Sequence, residues 1–221
     1  WRNTWLILES FILFLAVPLV FLIIKNDPKE VGRLPDGAVT SPGNITQNVS
    51  KKGPLEVEYW SHALRSIPFW QLCGGYFVCG MTTTLMHTHY VPFAIERGFT
   101  LKTAAMAFGL MSGLNVIGVL GIGSIADKFQ RRYLLGLVYG VRGLAYATLI
   151  FTPTELGLWT FALIAGLSWI ASAPLTSSLT ADIYGLDTLG TLGGMTSFAH
   201  QVGGALSVIM GGVLYDIFGT Y

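Results

Sequence analysis

The apolar positions along this chain do not alternate, and they do not mark one side of a helix. They form long unbroken runs. A bilayer-crossing helix needs about 20 mostly apolar residues, and six segments meet that length: Trp5–Ile24, Phe69–Tyr90, Ala104–Ala126, Tyr133–Phe151, Glu155–Ala181 and Leu189–Tyr215. Charge, Gly or Pro flanks each one. The pattern predicts an all-α, polytopic transmembrane helical bundle of six spans. A membrane barrel would show alternating segments of about ten residues, which are absent here. Pro68 suits the first turn of the second helix, where a missing N–H costs nothing. Pro18 and Pro174 fall inside expected helices, where a bundle tolerates them. The first run is too long for a signal-peptide core and has no small-residue cleavage site.

One connection is long and polar. Lys25–Ser66 contains a Ser/Asn/Gly/Lys-rich run, SPGNITQNVSKKG, that reads as a flexible linker. It divides the chain into a helix at 1–24, a loop at 25–66 and a bundle at 67–221. Lys25, Lys29, Arg33, Lys51, Lys52 and Arg65 lie in this loop, and Lys128, Arg131 and Arg132 in the short turn after the third span. If six helices alternate, these share one face, and only Arg2, Arg97 and Lys102 face the other. Basic loops stay inside, so the basic face is expected to be cytoplasmic in a cell membrane.

Composition agrees with a lipid bilayer as the main partner. Hydrophobic residues make up 52% and charged residues only 11%, against about 25% charged in soluble domains. A net charge of +1 offers no basic surface for nucleic acid. Cys73 and Cys79 stand alone in an apolar run and read as packing residues rather than a disulfide or metal site. No cofactor motif and no phosphate-binding loop is present. The apolar runs hold no paired carboxylates and no Ser/His/Asp set, so an enzyme is not expected. The chain starts at Trp1 and ends at Tyr221 soon after a long apolar run, which reads as truncation at both ends.

The turn after the third span reads Gly123-Ser-Ile-Ala-Asp127-Lys128-Phe-Gln130-Arg131-Arg132. It resembles the signature of the major facilitator superfamily, G-x3-D-[RK]-x-G-[RK]-[RK], with Gln130 standing where the family has Gly. The order of span, long basic loop, two spans, signature and three spans resembles family helices six to eleven. The resemblance implies that an N-terminal half and a last helix are missing. It also implies that Gly123, Asp127, Lys128, Arg131 and Arg132 form a conformational latch. Leu34-Pro-Asp-Gly37, the run Trp169 to Thr176 and the run His200-Gln201-Val-Gly-Gly204 are similar to bacterial monocarboxylate-transporter-type members and their oxalate/formate-exchanger relatives. That likeness implies secondary active transport of a small organic anion such as a monocarboxylate, with protons as a coupling partner. The alternatives are a drug or hydrophobic-compound exporter, and a non-transporting receptor or assembly factor on the same fold.

The polar residues inside the spans are the candidates for binding. Arg142 sits near the middle of the fourth span, where a central Arg costs about 2.5–3.5 kcal/mol and must face protein or water. It reads either as a fixed charge for an anion or as a structural group bonded to neighbouring carbonyls. Tyr139 and Tyr146 share its helix face, with hydroxyls placed to hold the guanidinium. Gly193, Ser197, His200, Gly204, Ser207 and Gly211 stay within about 40° of one line on the sixth span. Small residues there read as a packing seam, and His200 as its one ionisable group. In the exchanger relatives a Lys resembles His200 in position, within a T-A-K-G-x-G run. A titratable His, with an unperturbed pKa near 6.5, suits proton coupling. Tyr76, Asn115, Trp169, Ser172 and Gln201 complete the expected substrate-binding set.

The topology carries its own test. With externally applied maleimide, Arg97→Cys is labelled in intact cells and Lys51→Cys is not; the reverse pattern contradicts the assigned orientation.

Overall fold

The computed structural model describes residues 2–24, 39–41, 44–46, 53–151 and 154–221. It divides into two compact units, Trp1–Ser50 and Lys51–Tyr221.

The first unit holds one long helix and a short ladder. Helix α1 (Arg2–Phe11) runs through a π-turn (Ile12–Ala16) into α2 (Val17–Ile23). The wider turn, closed by Val17 N–H on the carbonyl of Ile12, comes just before Pro18. Proline has no N–H to give to the preceding turn, and such bulges absorb the missing bond. Nearly every side chain of this 22-residue stretch is exposed. Strands β1 (Val39–Ser41) and β2 (Asn44–Thr46) pair antiparallel, Val39 against Thr46, within the stretch expected to be a structureless linker. The Leu34–Gly37 segment lies outside the described residues.

The second unit is a helical bundle: α3 (Trp60–Ala63), α4 (Ile67–Glu96), α5 (Leu101–Ala126), α6 (Arg131–Phe151), α7 (Glu155–Ser168), α8 (Ser172–Tyr184) and α9 (Leu189–Phe218). Thr100 caps α5 by accepting from Thr103 N–H at 3.1 Å, and Thr154 caps α7 by accepting from Gly157 N–H at 3.3 Å, the role hydroxyls play at helix starts. Pro68 stands in the first turn of α4, where the sequence put it. Gly219, at φ 68°, ends α9 in the left-handed conformation that favours glycine.

Five described stretches are long and apolar enough to cross a membrane: Arg2–Ile23, Leu101–Ala126, Arg131–Phe151, Glu155–Tyr184 and Leu189–Phe218. The sixth expected span, α4, has 30 residues but carries Gln71, Thr82–Thr84, His87 and His89. Of these, Thr83, Thr84 and His87 line a cleft described below. Residues 53–66, expected to close the loop, pack instead on the bundle. Leu55 N–H donates to the carbonyl of Ile183 at 3.0 Å, and Ala63 joins Phe69, Leu72, Tyr184 and Leu192 in a buried cluster.

The expected fifth span is two helices. α7 stops at Ser168, and α8 begins at Ser172 with Pro174 in its first turn. Pro174 does not ride inside a continuous helix. Lacking an N–H, it leaves the carbonyl of Ile170 to Ala173 N–H at 2.9 Å, which breaks the regular ladder.

Helices α4 and α9 pack along glycines. A Cβ on Gly80 would run into the His200 carbonyl, one on Gly203 into the Phe77 carbonyl and one on Gly204 into the Thr84 side chain. Close approach of this kind is how membrane helices gain packing contacts. The small-residue stripe is not one seam, however. Gly204, Ser207 and Gly211 face α4, whereas a Cβ on Gly193 meets nothing and Ser197 is exposed.

Overpacking costs about 1–3 kcal/mol where neighbours can yield. Gly203→Val meets main chain, so its detergent-solubilised protein should melt several degrees lower. Gly193→Val should melt with the parent; equal melting of the two would contradict the seam.

Candidate functional site

The polar side chains of the bundle meet where α7 breaks from α8. Arg142, on α6, is 5% exposed. Its Nη2 donates to the carbonyl of Ser168 at 2.6 Å, to the carbonyl of Trp169 and to Ser172 Oγ at 3.3 Å. Its Nη1 donates to Cys79 Sγ at 3.1 Å and to Thr82 Oγ1 at 3.3 Å. The guanidinium therefore takes up carbonyls that the interrupted helix leaves free, which hydrocarbon would otherwise penalise heavily. Asn115, half-buried on α5, serves the other polarity: its Oδ1 accepts from Ile170 N–H at 3.0 Å. Two polar residues on two helices thus hold one helix break.

The tyrosine hydroxyls do not hold the guanidinium. Tyr139 donates to the Gly75 carbonyl at 2.7 Å and Tyr146 to the Thr82 carbonyl at 2.6 Å, both on α4. Only the Tyr139 ring meets Arg142, with the guanidinium carbon 5.6 Å from its centroid. The nearest acceptors on α4 and α7 draw the two ligand sets apart.

In front of this staple lies a cleft of about 370 Å³ between α4, the α7–α8 break and α9. Tyr76, Trp169, Ser172 and His200 line it, four of the residues expected to bind substrate. His200 lies tilted against Tyr76 at 4.7 Å between centroids, and its Nε2 lies 3.4 Å from Thr83 Oγ1. Arg142 is not on the cleft surface; it stands behind Cys79 and Ser172. Asn115 contacts the break, and Gln201 is exposed and lines no part of the cleft. Cys79, Thr83, Thr84, His87, Ile170 and Ala173 also line it, outside the expected substrate-binding set. On α4 the signal was available: 76, 79, 83 and 87 fall on one helix face at steps of three and four.

At the α5–α6 turn, Asp127 follows the last residue of α5 and is exposed, as are Gly123 and Lys128. Arg131 forms an ion pair with Asp182 of α8, the only salt bridge among the described residues. Arg132 donates to Gln130 Oε1 at 3.1 Å and to Tyr133 Oη at 3.0 Å. Among the described residues none other than glycine takes a positive φ, so this turn closes with Gln130 in an ordinary backbone conformation, and glycine is not required there.

Residues 1–208 match the family model described as Major Facilitator Superfamily. The whole chain aligns with 52% of the uncharacterized MFS-type transporter YcxA of Bacillus subtilis (strain 168) at 26% identity. It aligns likewise with 50% of monocarboxylate transporter 12-B of Danio rerio at 24% identity. The chain thus spans about half the length of these curated relatives.

Hydrogen bonds to a charged group contribute about 1.5–3 kcal/mol each. Arg142→Gln therefore lowers the melting temperature of the purified protein by many degrees, and Asn115→Ala, which frees one N–H, by a few. Unchanged melting in both variants would contradict the staple.

Proposed function

Because the chain belongs to the major facilitator superfamily, we propose that the full-length protein is a secondary active transporter of a small organic anion, driven by alternating access. This chain contributes one half of the bundle, and an N-terminal half absent from it supplies the facing wall. Carriers of this architecture bind near the bilayer midplane between repeats and rock around the site. The basic loops, Lys25–Ser66 and Asp127–Arg132, face the cytoplasm in this reading, and the membrane is the cell membrane.

The observation that carries the anion is the charge balance of Arg142. Among the described residues it has no carboxylate partner, and the sole ion pair lies elsewhere. Neutral carbonyls, hydroxyls and the Cys79 sulfur accept from its two Nη groups without cancelling its charge, and its buried Nε has no partner among the described residues. A buried cation at membrane depth favours an anion in the adjoining cleft. His200 lines the same cleft, and imidazole is the side chain whose unperturbed charge change falls near physiological pH. A carboxylate that prefers the imidazolium and a proton that prefers the loaded site raise each other's affinity equally, since linkage is reciprocal. This arrangement fits proton–anion symport. One relative's name specifies monocarboxylate transport, which agrees with that class.

Latch roles for Gly123, Asp127, Lys128, Arg131 and Arg132 belong to the same proposal. Asp127 and its basic neighbours occupy the inner end of α5, where they would bias the inward and outward states rather than touch substrate.

A second reading has one observation in its favour. The Nη2 of Arg142 is spent on the helix break and its Nη1 on α4, and the cleft surface carries no fixed charge. That suits an exporter of hydrophobic compounds. Counterflow in liposomes with the full-length protein separates the two, with a panel of carboxylates and a panel of apolar cations. Carboxylate exchange supports the anion carrier; exchange of the apolar cations alone overturns it. In the same assay carboxylate affinity rises as pH falls through the His titration, and His200→Gln flattens that rise in a folded protein. A pH profile that survives His200→Gln removes His200 as the coupling group.

A further inference from the structure

We propose that the cleft is built for a small dicarboxylate, one carboxylate at His200 and the other at His87. The proposal rests on the organic-anion reading and narrows it.

His87 and His200 come from different helices, α4 and α9, and line the same cleft. Thr83, whose hydroxyl lies 3.4 Å from His200 Nε2, precedes His87 by one helical turn, a rise of about 5.4 Å. The His200 ring therefore meets α4 about one helical turn from the position that carries His87, so the two imidazoles enter the cleft at different levels along α4. Each ring is set by an aromatic neighbour. His200 lies tilted against Tyr76, while His87 meets Trp169 edge-on at 5.0 Å and 88° and Phe108 edge-on at 5.6 Å and 81°. Thr84 and Ser172 add hydroxyls to the lining of the same cleft.

The groups facing the two rings decide the charge they favour. On α4 these are Tyr76, Cys79, Thr83 and Thr84; on α5, Phe108; at the break and on α8, Trp169 and Ser172, with Arg142 of α6 behind Cys79 and Ser172. No carboxylate lines the cleft. Two imidazoliums here would stand in front of a third cation with no countercharge among the described residues. A monoanion answers one of them, and a dianion answers both. Binding of a dianion is then coupled to two protonations, and binding of a monoanion to one.

The test uses full-length protein with fumarate and crotonate, which share a carbon skeleton and differ by one carboxylate. Affinities are measured by calorimetry at pH about 6 and about 7.5, on either side of the imidazole range. Fumarate should bind at least about tenfold tighter than crotonate at the lower pH, with most of that advantage gone at the higher pH. His87→Gln should bring fumarate to the level of crotonate and leave crotonate unchanged. His87→Arg, with a fixed charge, should keep the fumarate advantage at both pH values. If the glutamine variant does not fold, the arginine variant and the parent's pH series decide. Equal affinities for the two acids, or a fumarate advantage that His87→Gln leaves intact, overturns the dicarboxylate site while the anion carrier stands. Binding of neither acid overturns both.

Discussion

The bundle depends on one constraint: a helix broken inside a membrane must have its backbone groups satisfied by protein. Pro174 cannot donate, so the ladder between α7 and α8 shifts, and the carbonyls of Ser168 and Trp169 turn to Arg142. Asn115 takes the Ile170 N–H on the opposite side. Water would do this for a surface loop at little cost. In hydrocarbon each unsatisfied group is worth several kcal/mol, so the staple and the break must occur together. A buried cation that would be expensive alone becomes the means of holding the turn.

The break in turn makes the cleft. Trp169, Ile170, Ser172 and Ala173 reach its surface because the chain is irregular there, while a continuous helix would present one narrow stripe. The opposite wall depends on the close approach of α4 and α9, where Gly80, Gly203 and Gly204 bring two backbones together. That approach sets Tyr76 against His200. Rigid contacts on both sides of the cleft leave its ionisable residues, rather than its walls, as the variable part.

Much of this was legible in the sequence. Unbroken apolar runs located the spans, because bilayer thickness sets their length. The signature-like turn pointed to the family that the comparison over residues 1–208 bears out. Tyr76, Trp169, Ser172 and His200 were picked as isolated polar or aromatic groups in apolar surroundings, and they do share a cleft. Other parts were hidden for physical reasons. Pro174 reads the same whether a helix bends or breaks, since the outcome depends on donors from other helices. Arg142 has the same appearance as an anion ligand and as a staple until its acceptors are known. Asp182 carries no local signal for its pairing with Arg131, because the partners are 51 residues apart. The pairing of 39–41 with 44–46 escaped because the Ser- and Asn-rich composition of that stretch resembles that of a flexible linker.

The central claim is that Arg142 is required because Pro174 breaks the helix, and a double-mutant cycle in thermal unfolding measures that dependence. Residues acting through one network show coupling of about 0.5–3 kcal/mol, whereas independent ones add. Pro174→Ala restores the missing N–H, so the loss from Arg142→Gln should shrink by at least about 1 kcal/mol in that background. Strict additivity of the two substitutions would contradict the account and leave Arg142 without its stated reason to be there.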